Sequence, residues 1–184
     1  MKAPKKITGN RVELLPAQAE HAEFLLRLRN APHKSQFLQQ GASTLEQQKA
    51  WMREQDALGK HIYFVAYDKA TQLPIGSVRI YDEQADCSSI SIGSWVILDD
   101  TPARLSLEVL ALAVQYVGFL GFENIHFGVH RNNTSSIKFH SQLGVQNSGA
   151  NAHEIIFRTT PENFLQGLLT RYRLQLPPIA SIDL

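Results

Sequence analysis

Residues 91–119 read SIGSWVILDDTPARLSLEVLALAVQYVGF, and this stretch decides the fold. Its first part, residues 91–98, is an apolar run of strand length, residues 99–102 have the composition of a turn, and the remainder is long enough for a helix. A second apolar run, Asn124–His130, predicts another strand. Strand, helix and strand in this order form a βαβ unit, whose crossover is right-handed in nearly all proteins.

The start of the long helix is a candidate binding site for phosphate. In a βαβ unit the helix begins beside the C-terminal edge of the first strand, and its first backbone N–H groups have no partner within the helix. These donors and the helix dipole favour a bound anion. A cofactor that carries a pyrophosphate is therefore predicted at residues 101–106.

The segment after the second strand of the unit carries a resemblance to a known family. It reads Asn133-x-x-Ser136-Ile137-x-x-His140-x-x-Leu143-Gly144. With the βαβ unit before it, this segment resembles the GNAT superfamily of acyl-CoA-dependent N-acyltransferases. The resemblance extends over residues 9–158 and implies one acyl-CoA N-acyltransferase domain over residues 1–184. It also implies an α/β GNAT fold, with a mixed, mostly antiparallel sheet that is splayed between strands four and five and flanked by helices.

The rest of the chain is compatible with such a fold. Helices are predicted at residues 17–29 and 135–143, after a capping box at Thr44 and Gln47, and after Pro161. Further strands are predicted at residues 11–15, 62–67, 76–81 and 153–159, and the strand at residues 91–98 is part of a longer stretch, residues 86–98, that continues the antiparallel meander.

The resemblance implies that acetyl-CoA, or another short acyl-CoA, is the co-substrate. The acyl-pantetheine arm is expected between strands four and five, with a backbone N–H near Val96 as donor to the oxyanion. Trp95 is equally suited to the core, and Asn133 to capping a helix. The residues expected to contact the co-substrate are Trp95, Val96, Ile97, Thr101, Ala103, Arg104, Leu105, Ser106, Asn133 and Ser136.

The pyrophosphate loop departs from the pattern of the superfamily. Where the superfamily usually has Arg or Gln and then two small residues, this chain has Thr101, Arg104 and Ser106. A side chain in place of glycine obstructs close approach of the backbone to a phosphate. The Arg104 guanidinium is expected to supply the missing positive charge. In the alternative, the loop has decayed and the domain is a non-catalytic CoA-binding module.

The catalytic chemistry is expected to be direct attack of the acceptor amine on the thioester. Orientation alone can lower such a barrier by roughly 7–11 kcal/mol, so no protein nucleophile is required. His140 stands where the superfamily often has the Tyr that protonates the CoA thiolate, and an ordinary imidazole can donate a proton near neutrality. Glu108, His126 and His130 are the candidate general bases. Each also has a purely structural alternative, for Glu108 as a partner of the helix dipole.

The acceptor is expected to be a small-molecule primary amine. Residues Leu28-Arg29-Asn30 and Glu46-Gln47-Gln48-x-x-Trp51 are most similar to acetyltransferases of nucleotide-linked amino sugars. Arg29, Asn30, Arg79 and Tyr81 are predicted to face it, because Arg pairs with phosphate and Tyr stacks on a base or sugar. The alternative acceptor is a protein N-terminal amine, as in ribosomal-protein acetyltransferases. A nucleotide diphosphate would favour a basic groove, and a peptide an acidic or polar one.

Composition and charge argue against a nucleic-acid-binding, membrane-spanning or metal-binding protein. The length of 184 residues suits one domain, and the net charge of +1 gives no broad electrostatic case for nucleic acid. No apolar run is long enough to span a membrane, and nothing resembles a signal peptide, so a cytoplasmic monomer or homodimer is expected. Cys87 is the only cysteine and is expected to be a passive thiol. The seven histidines show no ligand spacing, so no metal is predicted.

Overall fold

The computed structural model describes residues 3–38, 41–84, 88–178 and 182–183. Cys87 lies outside the described residues. Within them, the strands are β1 Lys6–Thr8, β2 Val12–Pro16, β3 Ile62–Asp68, β4 Pro74–Tyr81, β5 Ser89–Ile97, β6 Asn124–His130, β7 Gln146–Ala150, β8 Glu154–Thr159 and β9 Ile182–Asp183. The helices are α1 Ala22–Asn30, α2 Pro32–Ser35, α3 Leu45–Leu58, α4 Ala103–Phe119, α5 Thr134–Ser141 and α6 Pro161–Tyr172.

The described strands form one sheet in the order β7-β8-β6-β5-β4-β3-β2-β1-β9. Only β5 and β6 pair in parallel, because α4 carries the chain from one to the other as the predicted βαβ crossover. The predicted mixed, mostly antiparallel sheet is therefore confirmed. The short strand β1 was not predicted, so the strands expected as four and five are β5 and β6.

β5 and β6 part soon after they begin. Their pairing covers Ser89 with Asn124, Ile90 with Ile125, and Ser91 with His126. β5 continues to Ile97 without further pairing to β6 within the described residues. The strands thus open into a cleft toward their C-terminal ends, beside the start of α4.

A bulge in β5 lies at the mouth of this cleft. The β4–β5 register runs from Arg79 opposite Gly93 to Ser77 opposite Val96. Two residues of β5, Ser94 and Trp95, therefore oppose a single residue of β4. Ser94 has a φ of 48°, in the left-handed region that non-glycine residues rarely adopt. The bulge releases backbone groups from the ladder at this point.

The two faces of the sheet are covered by different helices. α4 packs on one face, where Tyr116 meets Phe64 edge-on with ring centroids 6.0 Å apart, both fully buried. α1 and α3 cover part of the other face through Leu25 and Met52, which pack with Val65. The uncovered remainder of that face is open to a ligand.

Local signals account for two of the helix starts. The Thr44 side chain accepts the Gln47 N–H at 3.3 Å and the Gln47 side chain returns to the Thr44 N–H, so the predicted capping box is confirmed. α6 begins with Pro161 after a Thr160 cap, as predicted. β7 was not predicted because its five residues are all exposed and carry no apolar alternation.

Candidate functional site

A first cavity of about 260 Å³ lies where β5 and β6 part. The βαβ unit creates it, since the splayed strands leave a gap that α4 and α5 flank. Seven residues singled out from the sequence line it: Trp95, Val96, Ile97, His130, Asn133, Ser136 and His140. Its elongated walls of strand backbone and apolar side chains suit a narrow, mainly apolar arm.

A second cavity of about 520 Å³ lies on the face of the sheet that α1 and α3 partly cover. Arg29, Arg79 and Tyr81 line it, as predicted for an acceptor cleft, together with Trp51 and Glu154. Asn30 does not line it. Its amide instead donates to the Ala42 carbonyl at 3.2 Å beside a neighbouring cavity.

The two cavities share a wall. Gly93 and Ser94 of β5 and Gly128 of β6 line both of them. Neither glycine carries a side chain to close the opening between the strands. Phe37 and Leu38 also line both cavities, so a group bound in one cavity would lie next to a group bound in the other along this shared wall.

The bulge residue Ser94 is held in place by its neighbours. Its carbonyl accepts the Ser77 hydroxyl at 3.1 Å, and its hydroxyl accepts Arg29 Nη1 at 2.9 Å. Val96 is back in register with Ser77, so the backbone released from the ladder belongs to Ser94 and Trp95. The backbone donor expected near Val96 stays a prediction, and the bulge at Ser94 and Trp95 lies next to it.

Trp95 combines the two roles considered for it. Its indole N–H donates to the Ser106 carbonyl at 3.2 Å, and its ring packs on Phe139 with centroids 5.3 Å apart. The indole also lines the first cavity. Asn133 is likewise both a lining residue and the cap of α5, because its Oδ1 accepts the Ser136 N–H at 3.1 Å.

The start of α4 leaves few free donors. The N–H groups of Leu105 and Ser106 both point to the Pro102 carbonyl, at 2.9 and 3.3 Å, and the Thr101 N–H donates to Leu98. Ala103 and Arg104, the first two residues of the helix, retain N–H groups that no intrahelical acceptor can reach. An anion at this end of the helix would bind to those two groups.

The Arg104 guanidinium does not face that anion site in the structure. Its Nη2 donates to the Arg173 carbonyl, at the end of α6, at 3.1 Å. This exposed hydrogen bond draws Nη2 toward the end of α6, and the expectation that Arg104 supplies the positive charge of the loop stays a prediction. Residues 101–106 as a whole lie outside the first cavity lining, beyond its α4 end.

Positive charge instead reaches this region from α2, which the sequence pattern did not single out. Lys34 Nζ lies 2.8 Å and His33 Nε2 lies 3.0 Å from Asp99 Oδ1. Hydrogen bonds from Lys34, and then from His33, lower the pKa of the Asp99 carboxyl. Lys34 and His33 also line the first cavity.

His140 lies in an apolar environment. Its ring centroid is 4.5 Å from that of Phe127 and 4.9 Å from that of Phe139, and its Nδ1 has no hydrogen-bond partner in the described residues. Burial lowers the pKa of His140 to about 4. At neutral pH the ring is uncharged, so the expectation of an imidazolium that protonates a thiolate is corrected.

Two of the three candidate bases lie away from both cavities. The buried Glu108 carboxylate accepts the N–H groups of Arg11 and Val12, at 2.9 and 3.3 Å. His126 is held by Ser89 at its Nδ1, at 2.7 Å, and by Asp82 at its Nε2, at 3.0 Å. Neither Glu108 nor His126 lines the first or the second cavity.

His130 reaches the first cavity but is poorly prepared to take a proton. Its Nδ1 accepts the backbone N–H of Asn132 at 3.2 Å, which places the proton of the neutral ring on Nε2. Protonation would require Nδ1 to give up this bond. Glu108 and His126 are thus held by hydrogen bonds away from both cavities, and the role of His130 as a base stays a prediction.

Buried side-chain donors without partners lie in and near the second cavity. Arg79 lies over the Tyr81 ring at 3.9 Å and the Trp51 ring at 5.4 Å. Arg79 Nε, Gln48 Nε2 and the Tyr63 hydroxyl are buried and have no hydrogen-bond partner among the described residues. Burial, with Arg29 nearby, lowers the pKa of Arg79. An anionic acceptor group would relieve this imbalance.

Two negative findings apply to the described residues. No group of three or more His, Cys, Asp or Glu side chains is placed to hold a metal ion there. None of the helices in that part of the chain combines the length and apolar character needed to cross a bilayer.

Comparison with known proteins identifies one family and several solved structures with the same fold. The family model for an acetyltransferase (GNAT) domain matches residues 11–146. No match is found among curated proteins.

Similar solved structures include proteins with different acceptors in their descriptions. Apo FdhC, described as a nucleotide-linked sugar GNAT, is 24% identical with a TM-score of 0.78, covering 91% of this chain and 97% of FdhC. A candidate ribosomal-protein-serine acetyltransferase from Vibrio cholerae is 18% identical with a TM-score of 0.69, covering 87% and 100%. Mycobacterium smegmatis RimJ in complex with CoA-disulfide is 17% identical with a TM-score of 0.72, covering 92% and 95%. These similarities show a shared fold.

Proposed function

Because this chain belongs to the acetyltransferase (GNAT) domain family, we propose that it moves an acetyl or other short acyl group from acyl-CoA to a primary amine of a nucleotide-linked sugar. Family membership and fold confirm the predicted superfamily. The identity of the acceptor is the part that is proposed, and the charge and shape of the second cavity support it.

The observation that carries the proposal is the meeting of the two cavities at Gly93, Ser94 and Gly128. Acyl-CoA supplies an activated thioester when it is bound. The chain offers one cavity suited to its pantetheine arm and another suited to an acceptor, with an opening between them. Direct attack needs only that the two groups be held in contact and aligned.

Binding of acyl-CoA is supported by residues along the first cavity. Trp95 and Asn133 line its length, and the N–H groups of Ala103 and Arg104 with the Lys34 ammonium provide donors at the α4 end. The backbone freed at the Ser94–Trp95 bulge is the candidate oxyanion donor, and one such donor can be worth about 3–4 kcal/mol. Arg29 holds the Ser94 side chain and so supports the bulge.

An anionic acceptor is supported by the second cavity. Arg29 and Arg79 bring two guanidinium groups to its walls, and the unpartnered donors of Gln48 and Tyr63 lie beneath it. Trp51 offers an aromatic face on which a base or sugar can stack. FdhC, with the same fold, is described as a nucleotide-linked sugar GNAT. A phosphate-bearing amine fits this environment better than a neutral peptide.

A protein N-terminal amine is the second candidate acceptor. The Vibrio cholerae protein of the same fold is described as a ribosomal-protein-serine acetyltransferase, and Glu154 gives the cavity an acidic residue that could hold a peptide ammonium. The paired arginines count against it. A non-catalytic CoA-binding module is a third possibility, motivated by Thr101, Arg104 and the adjacent acidic turn residues.

An acceptor screen tests the proposal. Release of free CoA thiol would be followed with acetyl-CoA and short acyl-CoAs against amino-sugar nucleotides and N-terminal peptides. Turnover of an amino-sugar nucleotide is expected, and Arg79→Gln should raise its KM by roughly 10–100-fold, the loss of one charge-assisted hydrogen bond.

Arg27→Gln is the matched control, because Arg27 is exposed on α1 and lines neither cavity. Its KM should equal that of the wild type. Turnover of peptides with no turnover of amino-sugar nucleotides would reject the proposed acceptor. Acyl-CoA binding without turnover of either class would favour the non-catalytic module.

A further inference from the structure

We infer that Glu154 is the group that takes the proton from the acceptor ammonium, an inference that rests on the proposed acyl transfer to an amine. Glu154 is the first residue of β8, opposite His130 of β6, and its side chain lines the second cavity. The sequence pattern gave no signal for it, because a single Glu at the start of a late strand is ordinary.

The carboxylate lies against the backbone of Gly128. A Cβ placed on Gly128 would be 2.6 Å from Glu154 Oε2 and 2.9 Å from Oε1, so a side chain at this position would push the carboxylate aside. Gly128 belongs to the wall that the two cavities share. The carboxylate is therefore next to the opening through which an amine must reach a thioester.

The Glu154 carboxylate is not used by the fold. Its oxygens have no hydrogen bond or ion pair with any described residue, whereas its backbone is fixed on both sides by Asn151. The Glu154 N–H donates to Asn151 Oδ1 at 2.8 Å, and its carbonyl accepts the Asn151 N–H at 3.0 Å. A firmly anchored residue with a free carboxylate contrasts with Glu108, whose carboxylate is committed to backbone donors.

The placement of opposite charges fits a substrate that is anionic at one end and an ammonium at the other. Cross-strand pairs and two-residue steps put Arg79 of β4 and Glu154 of β8 on one face of the sheet. β5 and β6 lie between their strands, so Arg79 and Glu154 are separated by at least three strand spacings, about 14 Å, and the parting of β5 and β6 adds to this. A sugar amine can reach Glu154 while a phosphate lies near Arg79.

The proton and electron balance is simple. Glu154 accepts one proton from R–NH₃⁺, which leaves a neutral amine with a free electron pair. That pair forms the C–N bond to the thioester carbon, and the C–S bond breaks with its electrons on sulfur. The nitrogen loses a second proton as the amide forms, and this proton neutralises the thiolate. Glu154 finally returns its proton to solvent.

The test compares Glu154→Gln and Gly128→Ala with wild type and with Glu162→Gln, an exposed carboxylate of α6. Steady-state rates would be measured from pH 6 to 9.5 at saturating acetyl-CoA, with acetyl-CoA affinity by calorimetry. Glu154→Gln should lower kcat about 10²-fold at pH 7, within the usual range for a lost base, and approach wild type at high pH, where the free amine predominates. Gly128→Ala should show the same pH dependence because its methyl displaces the carboxylate.

Acetyl-CoA affinity should be unchanged in Glu154→Gln, because Glu154 does not line the first cavity, and Glu162→Gln should match the wild type. A raised KM at unchanged kcat would overturn the inference, since Glu154 would then only anchor the ammonium. An equal loss of kcat at every pH would also overturn it.

The two proposals fail differently. A wild type that acylates only peptide amines, with the same pH-dependent loss in Glu154→Gln, would reject the nucleotide-linked sugar and support the Glu154 assignment. If the wild type acylates amino-sugar nucleotides and Glu154→Gln does so at the full rate, the nucleotide-linked sugar is supported and the Glu154 assignment is rejected. A protein that acylates no amine would overturn both.

Discussion

The imidazole of His140 is surrounded by the rings of Phe127, Phe139, Phe157 and Phe164. In this environment desolvation disfavours the cation, and no described residue offsets that cost with a hydrogen bond to Nδ1. The register with Asn133 and Gly144 predicted the position of His140 at the first cavity, but it carried no information on protonation. That property depends on aromatic side chains from three other elements.

His140 should make the stability of the protein depend on pH. Its pKa is lowered from an ordinary 6.5 to about 4 in the folded state, so the unfolded chain binds more protons between these values. Its contribution to stability is present above pH 6.5 and is lost as the pH falls toward 4. Relative to His140→Leu, the wild-type free energy of unfolding should fall by about 3 kcal/mol between pH 7 and pH 4.

Urea unfolding at the two pH values measures this difference. Burial also lowers the pKa of His61, but that contribution is common to both proteins and cancels in the comparison. Parallel pH dependence in wild type and variant would show that His140 is solvated or paired in solution.

Two acidic residues precede α4 in the chain, and two residues of α2 lie against the first of them. Asp99 and Asp100 precede it in the turn, and Lys34 and His33 of α2 both contact the Asp99 carboxylate. A pyrophosphate at the free N–H groups of α4 would be repelled by the turn and attracted by Lys34. The net preference of this helix start for an anion therefore depends on α2, an element of only four residues.

Substitutions in this region should have opposite effects on acetyl-CoA binding. Lys34→Gln should weaken it about 5–10-fold and Asp99→Asn should strengthen it, since each changes one charge near the helix start. Arg104→Gln should change the dissociation constant less than about twofold, because its guanidinium is bound to the Arg173 carbonyl. Calorimetry at low and physiological salt would measure these effects. A large loss with Arg104→Gln and none with Lys34→Gln would return the phosphate contact to Arg104.

Elements with strong local signals were predictable, and those defined by long-range pairing were not. The βαβ unit, the Thr44–Gln47 capping box and the Pro161 start each rest on residues close together in the chain. The bulge at Ser94 has no sequence signal, because Ser is not a residue that favours positive φ. Its geometry depends on Arg29 and Ser77, which lie on other elements.

At the scale of the whole molecule, the candidate site is assembled from both halves of the chain. The acceptor cavity combines Arg29 and Trp51 from the first helices with Glu154 from β8, while β5 and β6 provide the wall between the cavities. The sequence predicted the residues on the βαβ unit and two of the arginines. It could not predict Glu154, because only the pairing of β8 with β6 places that residue over Gly128.

Glu108 forms hydrogen bonds between the two halves of the chain. Its carboxylate, on α4, accepts the N–H groups of Arg11 and Val12 at the start of β2, about a hundred residues earlier. A side chain on Gly9 would collide with this carboxylate, so the turn before β2 is shaped around it. A buried carboxylate that satisfies two backbone donors serves the fold, and it has no path to either cavity.

Glu108→Ala should therefore destabilise the protein without impairing its chemistry. Two backbone N–H groups would lose their acceptor, at a cost of about 2–4 kcal/mol in the free energy of unfolding. Glu108→Gln keeps an acceptor oxygen and should cost less, about 1 kcal/mol. In both variants kcat per folded molecule should stay within about twofold of wild type at temperatures well below unfolding, because proton transfer at the amine does not involve this residue. Urea unfolding and steady-state rates on the same preparations separate the two effects. A Glu108→Gln variant with full stability and a kcat reduced a hundredfold would restore Glu108 as the base and place the acceptor amine on the other side of α4.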